Sequence, residues 1–267
     1  MENVLKKIIE KKKERLSAYK KQYKINDILS NAKNIKNFVS FQEKILKRTL
    51  NKEISIIAEI KKASPSAGLL VENFDPLDIA KIYIESGASF LSVLTEEDFF
   101  LGNLSYIESI KKNYKTPILC KDFFIDTYQV ALAKSYGADC VLIILSAVDR
   151  FIAKDLYQAA YDLNMSTIIE IHSEKEAELA LSFENSIIGI NNRNLKTLEV
   201  SINTSISLSK ILKSHKNPLI CESGIHTKDD IKIIIEKANI FNFLIGESLL
   251  TSSNISKKLK EFTEINV

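Results

Sequence analysis

Short apolar runs alternate with longer amphipathic segments along most of this chain. The apolar runs fall near residues 54–60, 88–94, 117–121, 139–145, 166–171, 186–191, 218–222 and 241–246. Runs such as Val141-Leu142-Ile143-Ile144-Leu145 and Ile187-Ile188-Gly189-Ile190 are apolar on both faces, as parallel strands are when helices cover one side and a core fills the other. Between them, helical spacing covers Pro76 to Ser86, Thr127 to Tyr136, Arg150 to Asn164, Glu174 to Ser182, Ile202 to Lys213 and Lys228 to Lys237. Eight strands, each followed by a helix, is the count that closes a (β/α)8 barrel. An open doubly wound sheet would carry a G-x-G-x-x-G first turn, and this chain has none. The expected fold is therefore α/β, a (β/α)8 TIM barrel forming a single domain over residues 1–267. Residues 1–50 precede the first strand as a helical N-terminal extension, expected as two helices that close the barrel bottom or gate its mouth.

The extension begins with Val4, Leu5, Ile8, Ile9, Leu16 and Tyr19 near helical spacing. Around them Lys6, Lys7, Lys11, Lys12, Lys13, Arg15, Lys20, Lys21 and Lys24 face only Glu2, Glu10 and Glu14. This reads as an amphipathic helix with a solvated basic face, and contact of that face with a membrane or RNA is the minor reading. Over the whole chain, 37 Lys and Arg against 34 Asp and Glu leave a net charge of +3. That balance argues against nucleic acid as a partner. A hydrophobic content of 45% without low-complexity tracts describes a globular protein with a sizeable core. No run approaches the roughly 18 apolar residues of a membrane span, and the N-terminus lacks the apolar core of a signal peptide. The expected location is cytoplasmic, with no membrane partner. Cys120, Cys140 and Cys221 are odd in number and sit in strand-like runs, which suits reduced core thiols. His172, His215 and His226 are not clustered at ligand spacing, so no metal site is expected.

Polar groups appear where the apolar runs stop: Glu59 and Lys61, Thr95-Glu96-Glu97, Lys121-Asp122, Ser146, Glu170, Asn191 and Arg193, Glu222-Ser223, and Gly246-Glu247-Ser248. In a parallel barrel these ends converge at one mouth, where active sites of this fold are built. Glu59 and Lys61 lie two apart on a strand and so share a face. Opposite charges there are expensive to desolvate unless paired or doing chemistry. Each group also has a structural reading: Glu170 as a helix cap, Arg193 as a surface cation, Asn191 and Asn192 as turn formers, Phe100 and Phe123 as core, and Glu96, Glu97 and Glu222 as rim ion-pair partners. Lys121 carries the stronger case, because a lysine ending a buried strand has few routes to water. Of only seven glycines, Gly224 follows the seventh strand and Gly246 ends the eighth. Glycine amides beside a short helix N-terminus form an expected phosphate site.

Glu59-Ile60-Lys61-Lys62-Ala63-Ser64-Pro65-Ser66 resembles the signature of indole-3-glycerol-phosphate synthases. Leu91–Glu96, Leu119-Cys120-Lys121-Asp122-Phe123, Ile169-Glu170, Gly189–Leu195, Glu222-Ser223-Gly224-Ile225 and Leu244-Ile245-Gly246-Glu247 resemble the later motifs of that family, in order. The resemblance implies a carboxy-lyase of tryptophan biosynthesis that needs no cofactor. It would convert 1-(2-carboxyphenylamino)-1-deoxyribulose 5-phosphate to indole-3-glycerol phosphate, carbon dioxide and water. By the same resemblance Lys121 is the general acid and Glu170 the acid or base of the dehydration. Lys61 meets the substrate anions, Glu59 orients the lysines, and Asn191 holds the hydroxyl-bearing chain. Arg193 would hold the anthranilate carboxylate, Phe100 and Phe123 would line the aryl pocket, and Leu244 would join the substrate-binding wall. Ser64, Ser223, Gly224, Gly246 and the amide of Glu247 would complete substrate and phosphate binding. Asn192 stands where the family often has a small hydroxyl residue. Glu247 stands where some members have serine, so its carboxylate is expected to turn outward, away from the phosphate. Lys61 and Lys121 in one pocket would lower each other's pKa while Glu59 and Glu170 oppose the shift. Association with other enzymes of tryptophan biosynthesis stays open. The alternatives are another phosphosugar barrel enzyme, such as phosphoribosylanthranilate isomerase, or a non-catalytic phosphate-ligand binding protein.

Overall fold

The computed structural model describes residues 4–35, 38–195 and 197–265. Eight parallel strands close into a barrel: β1 Ser55–Ile60, β2 Phe90–Leu94, β3 Ile118–Lys121, β4 Cys140–Ile144, β5 Ser166–Ile171, β6 Ile187–Asn191, β7 Leu219–Glu222 and β8 Asn242–Ile245. Each strand pairs with its sequence neighbour, and β8 returns to β1. Every strand lies within two residues of the apolar run that predicted it. The uniform hydrophobicity has a simple cause, since side chains of successive residues point to opposite faces and both faces are covered. Ile57, Phe90, Leu119, Leu142, Ile168, Ile187, Ile220 and Leu244 fill the barrel interior. Their neighbours Ile56, Ala58, Leu91, Val93, Ile169 and Ile188 pack outward against the helices. Removing each such side chain from water contributes about 1.5–3 kcal/mol.

Helices α4 Pro76–Glu85, α6 Thr127–Ser135, α7 Arg150–Asp162, α8 Glu174–Ala180, α9 Asn203–Ile211 and α10 Lys228–Ala238 match the amphipathic segments. In five of them a side chain just before the helix accepts from the first-turn amides: Asp75, Asp126, Asp149, Ser173 and Thr227. Each such cap contributes about 1 kcal/mol and fixes where a mouth loop ends. The pattern reading left out α5 Ser105–Asn113 and a two-residue hairpin pairing Ala63–Ser64 with Gly68–Leu69. The chain closes with the single turn α11 Glu247–Leu250 and with α12 Ile255–Thr263.

Among the described residues the extension holds three helices, α1 Val4–Gln22, α2 Ile25–Lys33 and α3 Phe41–Leu50, where two were expected. A new helix starts at Ser40 because its hydroxyl accepts from the amide of Glu43. The extension reaches both ends of the barrel. At the bottom, Phe41 and Ile45 are fully buried among the interior residues, and the rings of Phe41 and Phe90 lie 4.4 Å apart. There the amide of Gln42 donates to Ser166 Oγ at 3.0 Å, and Asn242 Nδ2 donates to Thr49 Oγ1 at 2.9 Å. At the opposite end, α1 lies across the mouth.

The solvated basic face expected for α1 is only partly so. Lys6, Lys11 and Lys13 are exposed, but Lys12 Nζ lies 2.7 Å from Asp122 Oδ1 with both side chains about nine-tenths buried. Arg15 reaches Glu97 at 2.7 Å and Asp98 at 2.6 Å, and Lys20 reaches Asp126 at 2.6 Å. The loops after β2 and β3 supply the acids, so these three cations pair within the protein. Among the described residues no helix is long and apolar enough to cross a membrane.

Candidate active site

The C-terminal strand ends surround a cavity of about 340 Å³. Glu59, Lys61, Ser64, Phe100, Lys121, Phe123, Glu170, Asn191, Arg193, Ser223, Gly224, Leu244, Gly246 and Glu247 all line it, together with Val4, Leu5 and Ile8 from α1. Positions spread over nearly two hundred residues are gathered because parallel strands deliver every C-terminal end to one face.

At the centre, Lys121 Nζ sits between two carboxylates, 2.7 Å from Glu170 Oε2 and 2.9 Å from Glu222 Oε2. The sequence left Glu222 open between a mouth group and a rim ion-pair partner. It is buried, and among the described residues its Oε1 has no hydrogen-bond partner. A detectable signal was Gly189, on the neighbouring strand two residues before the register partner of Glu222: a Cβ there would collide with the Glu222 carboxylate, so the glycine is the space that lets this acid turn inward. Glu170 Oε1 accepts from Asn191 Nδ2 at 3.2 Å and lies 3.2 Å from His172 Nε2. Beside this group, Lys61 Nζ donates to Glu59 Oε1 at 2.6 Å.

Burial opposes the ammonium of Lys121, but Glu170, Glu222 and the more distant Glu59 outweigh it and hold its pKa well above the ordinary lysine value. The mutual lowering expected of two lysines is thus overridden at Lys121. Burial also opposes the charge of Glu170, yet Lys121 and His172 hold its pKa well below the usual carboxylate range. For Glu222 burial dominates; Lys121 works against the shift and Glu170 reinforces it, leaving a pKa of about 7. Two neighbouring carboxylates pushed in opposite directions are the pattern of an assigned base and an assigned acid.

Around the rim, Asn191 Oδ1 accepts from the Arg193 amide at 3.0 Å and from Ser223 Oγ at 2.9 Å. Ser223 and Gly224 both adopt positive φ, 65° and 79°, a turn conformation of the kind that forms anion-binding concavities. The Glu247 carboxylate, partly exposed at the rim, lies 3.3 Å from Arg193. Phe100 and Phe123 face each other at 6.1 Å between ring centroids. Asn192 turns inward, donating to the Ser223 carbonyl and accepting from Ser205, so it braces the β6 and β7 ends. Glu96 accepts from the amides of Asp98, Phe99 and Phe100 and shapes the loop that presents Phe100. The three cysteines are buried free thiols. Among the described residues no cluster of metal-ligating side chains occurs.

The family model for indole-3-glycerol phosphate synthase matches residues 5–262. Curated relatives of that name include a protein of Endomicrobium trichonymphae, 44% identical over 230 residues and 86% of each chain. Another, from Legionella pneumophila (strain Lens), is 39% identical over 263 residues and 98% of each chain. Among solved structures, tryptophan synthase subunit alpha from Legionella pneumophila str. Paris superposes with a TM-score of 0.61 at 13% identity, over 83% of this chain and 96% of that one. Monomers of phosphoribosylanthranilate isomerase from Thermotoga maritima give 0.56 at 10% identity, over 78% and 96%. At such identities these two speak for the barrel fold alone.

Proposed function

The chain belongs to the indole-3-glycerol phosphate synthase family, and we propose that it closes the indole ring with Lys121 as proton donor and Glu170 and Glu222 as its two carboxyl partners. It is an enzyme of tryptophan biosynthesis that makes indole-3-glycerol phosphate from 1-(2-carboxyphenylamino)-1-deoxyribulose 5-phosphate. In class it is a carboxy-lyase, since carbon dioxide leaves without water or a redox partner taking part in that bond cleavage.

The observation that carries the mechanism is the single ammonium held between two buried carboxylates of divergent proton affinity. In the first step the ring carbon bearing the carboxylate attacks the ketone carbon. The carbonyl electrons move onto oxygen, which takes a proton from Lys121. Such positioned acid catalysis contributes about 10²–10⁴ in rate. Carbon dioxide then departs, and the bonding pair it leaves behind restores the aromatic ring. In the last step the new hydroxyl leaves as water with a proton from Glu222, while the ionised Glu170 removes a proton from the adjacent methylene. The overall balance takes up one proton from solvent.

The remaining side chains hold the substrate. Lys61, fixed by Glu59, faces its anionic groups; Arg193, steadied by Glu247, takes the anthranilate carboxylate at the rim. Phe100, Phe123 and Leu244 form the apolar wall, and Asn191 the hydroxyl contact. Ser64, Ser223, Gly224, Gly246 and the amide of Glu247 receive the phosphate, whose remote grip supplies orientation at the reacting carbon. The reading treats residues 1–267 as one barrel domain carrying the extension. It places the enzyme in the cytoplasm, where buried thiols stay reduced.

Purified protein given the carboxyphenylamino substrate is expected to develop indole fluorescence, and Lys121→Ala to lower turnover by at least about 10² while phosphate affinity holds. A folded protein that stays dark refutes the reading. The same pair of measurements separates an enzyme from a phosphate-binding protein, which has no turnover to lose.

A further inference from the structure

His172 directly follows β5, two residues after Glu170, outside the set of cavity-lining residues. Its ring bridges two acids. Nε2 lies 3.2 Å from Glu170 Oε1, an ion-pair contact without hydrogen-bond alignment, and Nδ1 lies 3.3 Å from Glu176 Oε2 on α8. The same Glu176 oxygen accepts the His172 backbone amide at 2.7 Å, and Ser173 caps the helix that carries it. The imidazole is therefore held from both sides and from its own backbone, and nine-tenths of the side chain is buried.

We infer that His172 is a positioning residue for the ring closure, a cationic clamp that fixes the orientation and charge of the Glu170 carboxylate. The inference rests on the roles proposed above for Lys121 and Glu170. A carboxylate turns easily about its terminal bond. Glu170 has Lys121 on one oxygen and, among the described residues, the Asn191 amide as hydrogen-bond donor and the His172 imidazole as ion-pair neighbour on the other. Without the imidazole that second oxygen keeps its hydrogen bond from Asn191 but loses the neighbouring cation. The charge matters as well as the geometry. Four charged groups meet around Glu170 and its partner lysine: Lys121 from β3, Glu222 from β7, Glu59 from β1, and His172 itself, backed by Glu176 from α8. Burial disfavours the imidazolium, but Glu170 and Glu176 outweigh it and raise its pKa to about 9, so it is charged at neutral pH. A cation 3.2 Å from Glu170 keeps that carboxylate ionised and ready as a base.

The test is the pH dependence of kcat for the wild type, His172→Leu and His172→Gln, with Lys121→Ala as reference. His172→Leu removes both the polar group and the charge beside Glu170. It is expected to lower kcat about 10- to 100-fold with KM nearly unchanged, as small misplacements of catalytic groups do. His172→Gln keeps a polar side chain beside Glu170 without the charge and should recover most of the plateau kcat. Because neither variant carries the charge, the acid limb of kcat should move to higher pH in both, as Glu170 becomes easier to protonate. A purely packing role for His172 predicts no movement of that limb. An unmoved limb in His172→Gln overturns the inference, and so does a kcat for His172→Leu within about twofold of the wild type. If His172→Leu does not fold, the limb of His172→Gln decides alone. Should Lys121→Ala keep wild-type turnover, it is the proposed mechanism that fails, an outcome distinct from failure of the clamp.

Discussion

One ammonium facing two buried carboxylates leaves a surplus negative charge between them, and the protein disposes of it by letting Glu222 hold a proton near neutrality. The consequence can be measured. Because the folded-state pKa of Glu222 is raised from 4.5 to about 7, the native protein binds a proton there that the unfolded chain has already released. The stability this group contributes is fully present below pH 4.5 and is lost as pH rises through about 7. Glu170, shifted the other way, acts at lower pH, where its contribution is lost on acidification. Glu222→Gln should thus gain Tm relative to the wild type, by a margin that grows across that window, while turnover falls about 10²-fold or more. A Tm difference that ignores pH across the window would refute the assignment. Lys121 and Glu170 were legible because each ends an apolar run with a charge. Glu222 does the same, but a strand end alone does not say whether its side chain turns into the barrel or onto the rim. The deciding residue is Gly189, on the neighbouring strand and thirty-three positions away.

Among the elements, α1 shows how a helix that looks solvated in sequence becomes part of the barrel mouth. Its apolar stripe was visible in the spacing of Ile8 and Leu16, both buried, but its basic residues looked like surplus charge because the loop acids they meet lie about 80 to 110 residues away. The most buried of these contacts is Lys12 with Asp122, which also accepts from Thr95 Oγ1 at 2.7 Å and from the Phe123 amide at 2.7 Å. Asp122 follows Lys121 directly, so the pair ties α1 to the strand that presents the proposed acid. Removing one partner of a buried ion pair leaves the other charged and dry, at about 3–5 kcal/mol. Lys12→Met is therefore expected to destabilise the protein by about 3 kcal/mol, seen as a lower denaturant midpoint. The double variant Lys12→Met with Asp122→Asn should be less destabilised than the sum of the two single changes. Strict additivity would mean the pair is not coupled. The capped helices were legible as far as their first residues because Asp75, Asp126, Asp149, Ser173 and Thr227 announce them. The start of α3 was not read, although Ser40 and Glu43 stand at capping spacing.

At the scale of the molecule, a parallel barrel has two open ends with opposite needs: the bottom must be sealed and the mouth must admit substrate. The eight-strand count was readable from periodicity because every strand is buried on both faces, whereas the division of labour within the extension was not, since hydrophobic spacing gives a helix its face and not its address. Coordinates assign α3 to the bottom, with Phe41 and Ile45 completing the interior, and α1 to the mouth, where Val4, Leu5 and Ile8 wall the cavity. Truncation should therefore have two distinct outcomes. Deleting residues 1–24 removes one cavity wall and strands Asp122 without Lys12, yet leaves the sealed bottom. The expected product is a folded, less stable barrel with a raised KM. Deleting residues 1–50 also exposes the interior around Phe90 and Ile168, and each large buried side chain lost from a core costs about 3–5 kcal/mol. Losing Phe41 and Ile45 together approaches the 5–15 kcal/mol that holds a typical domain folded, so the second product should lose cooperative unfolding. Circular dichroism melts of the two truncations, with substrate titration of the first, provide the check. A cooperatively folding barrel without α3 would show that the strands close their own interior and that the bottom helix is dispensable.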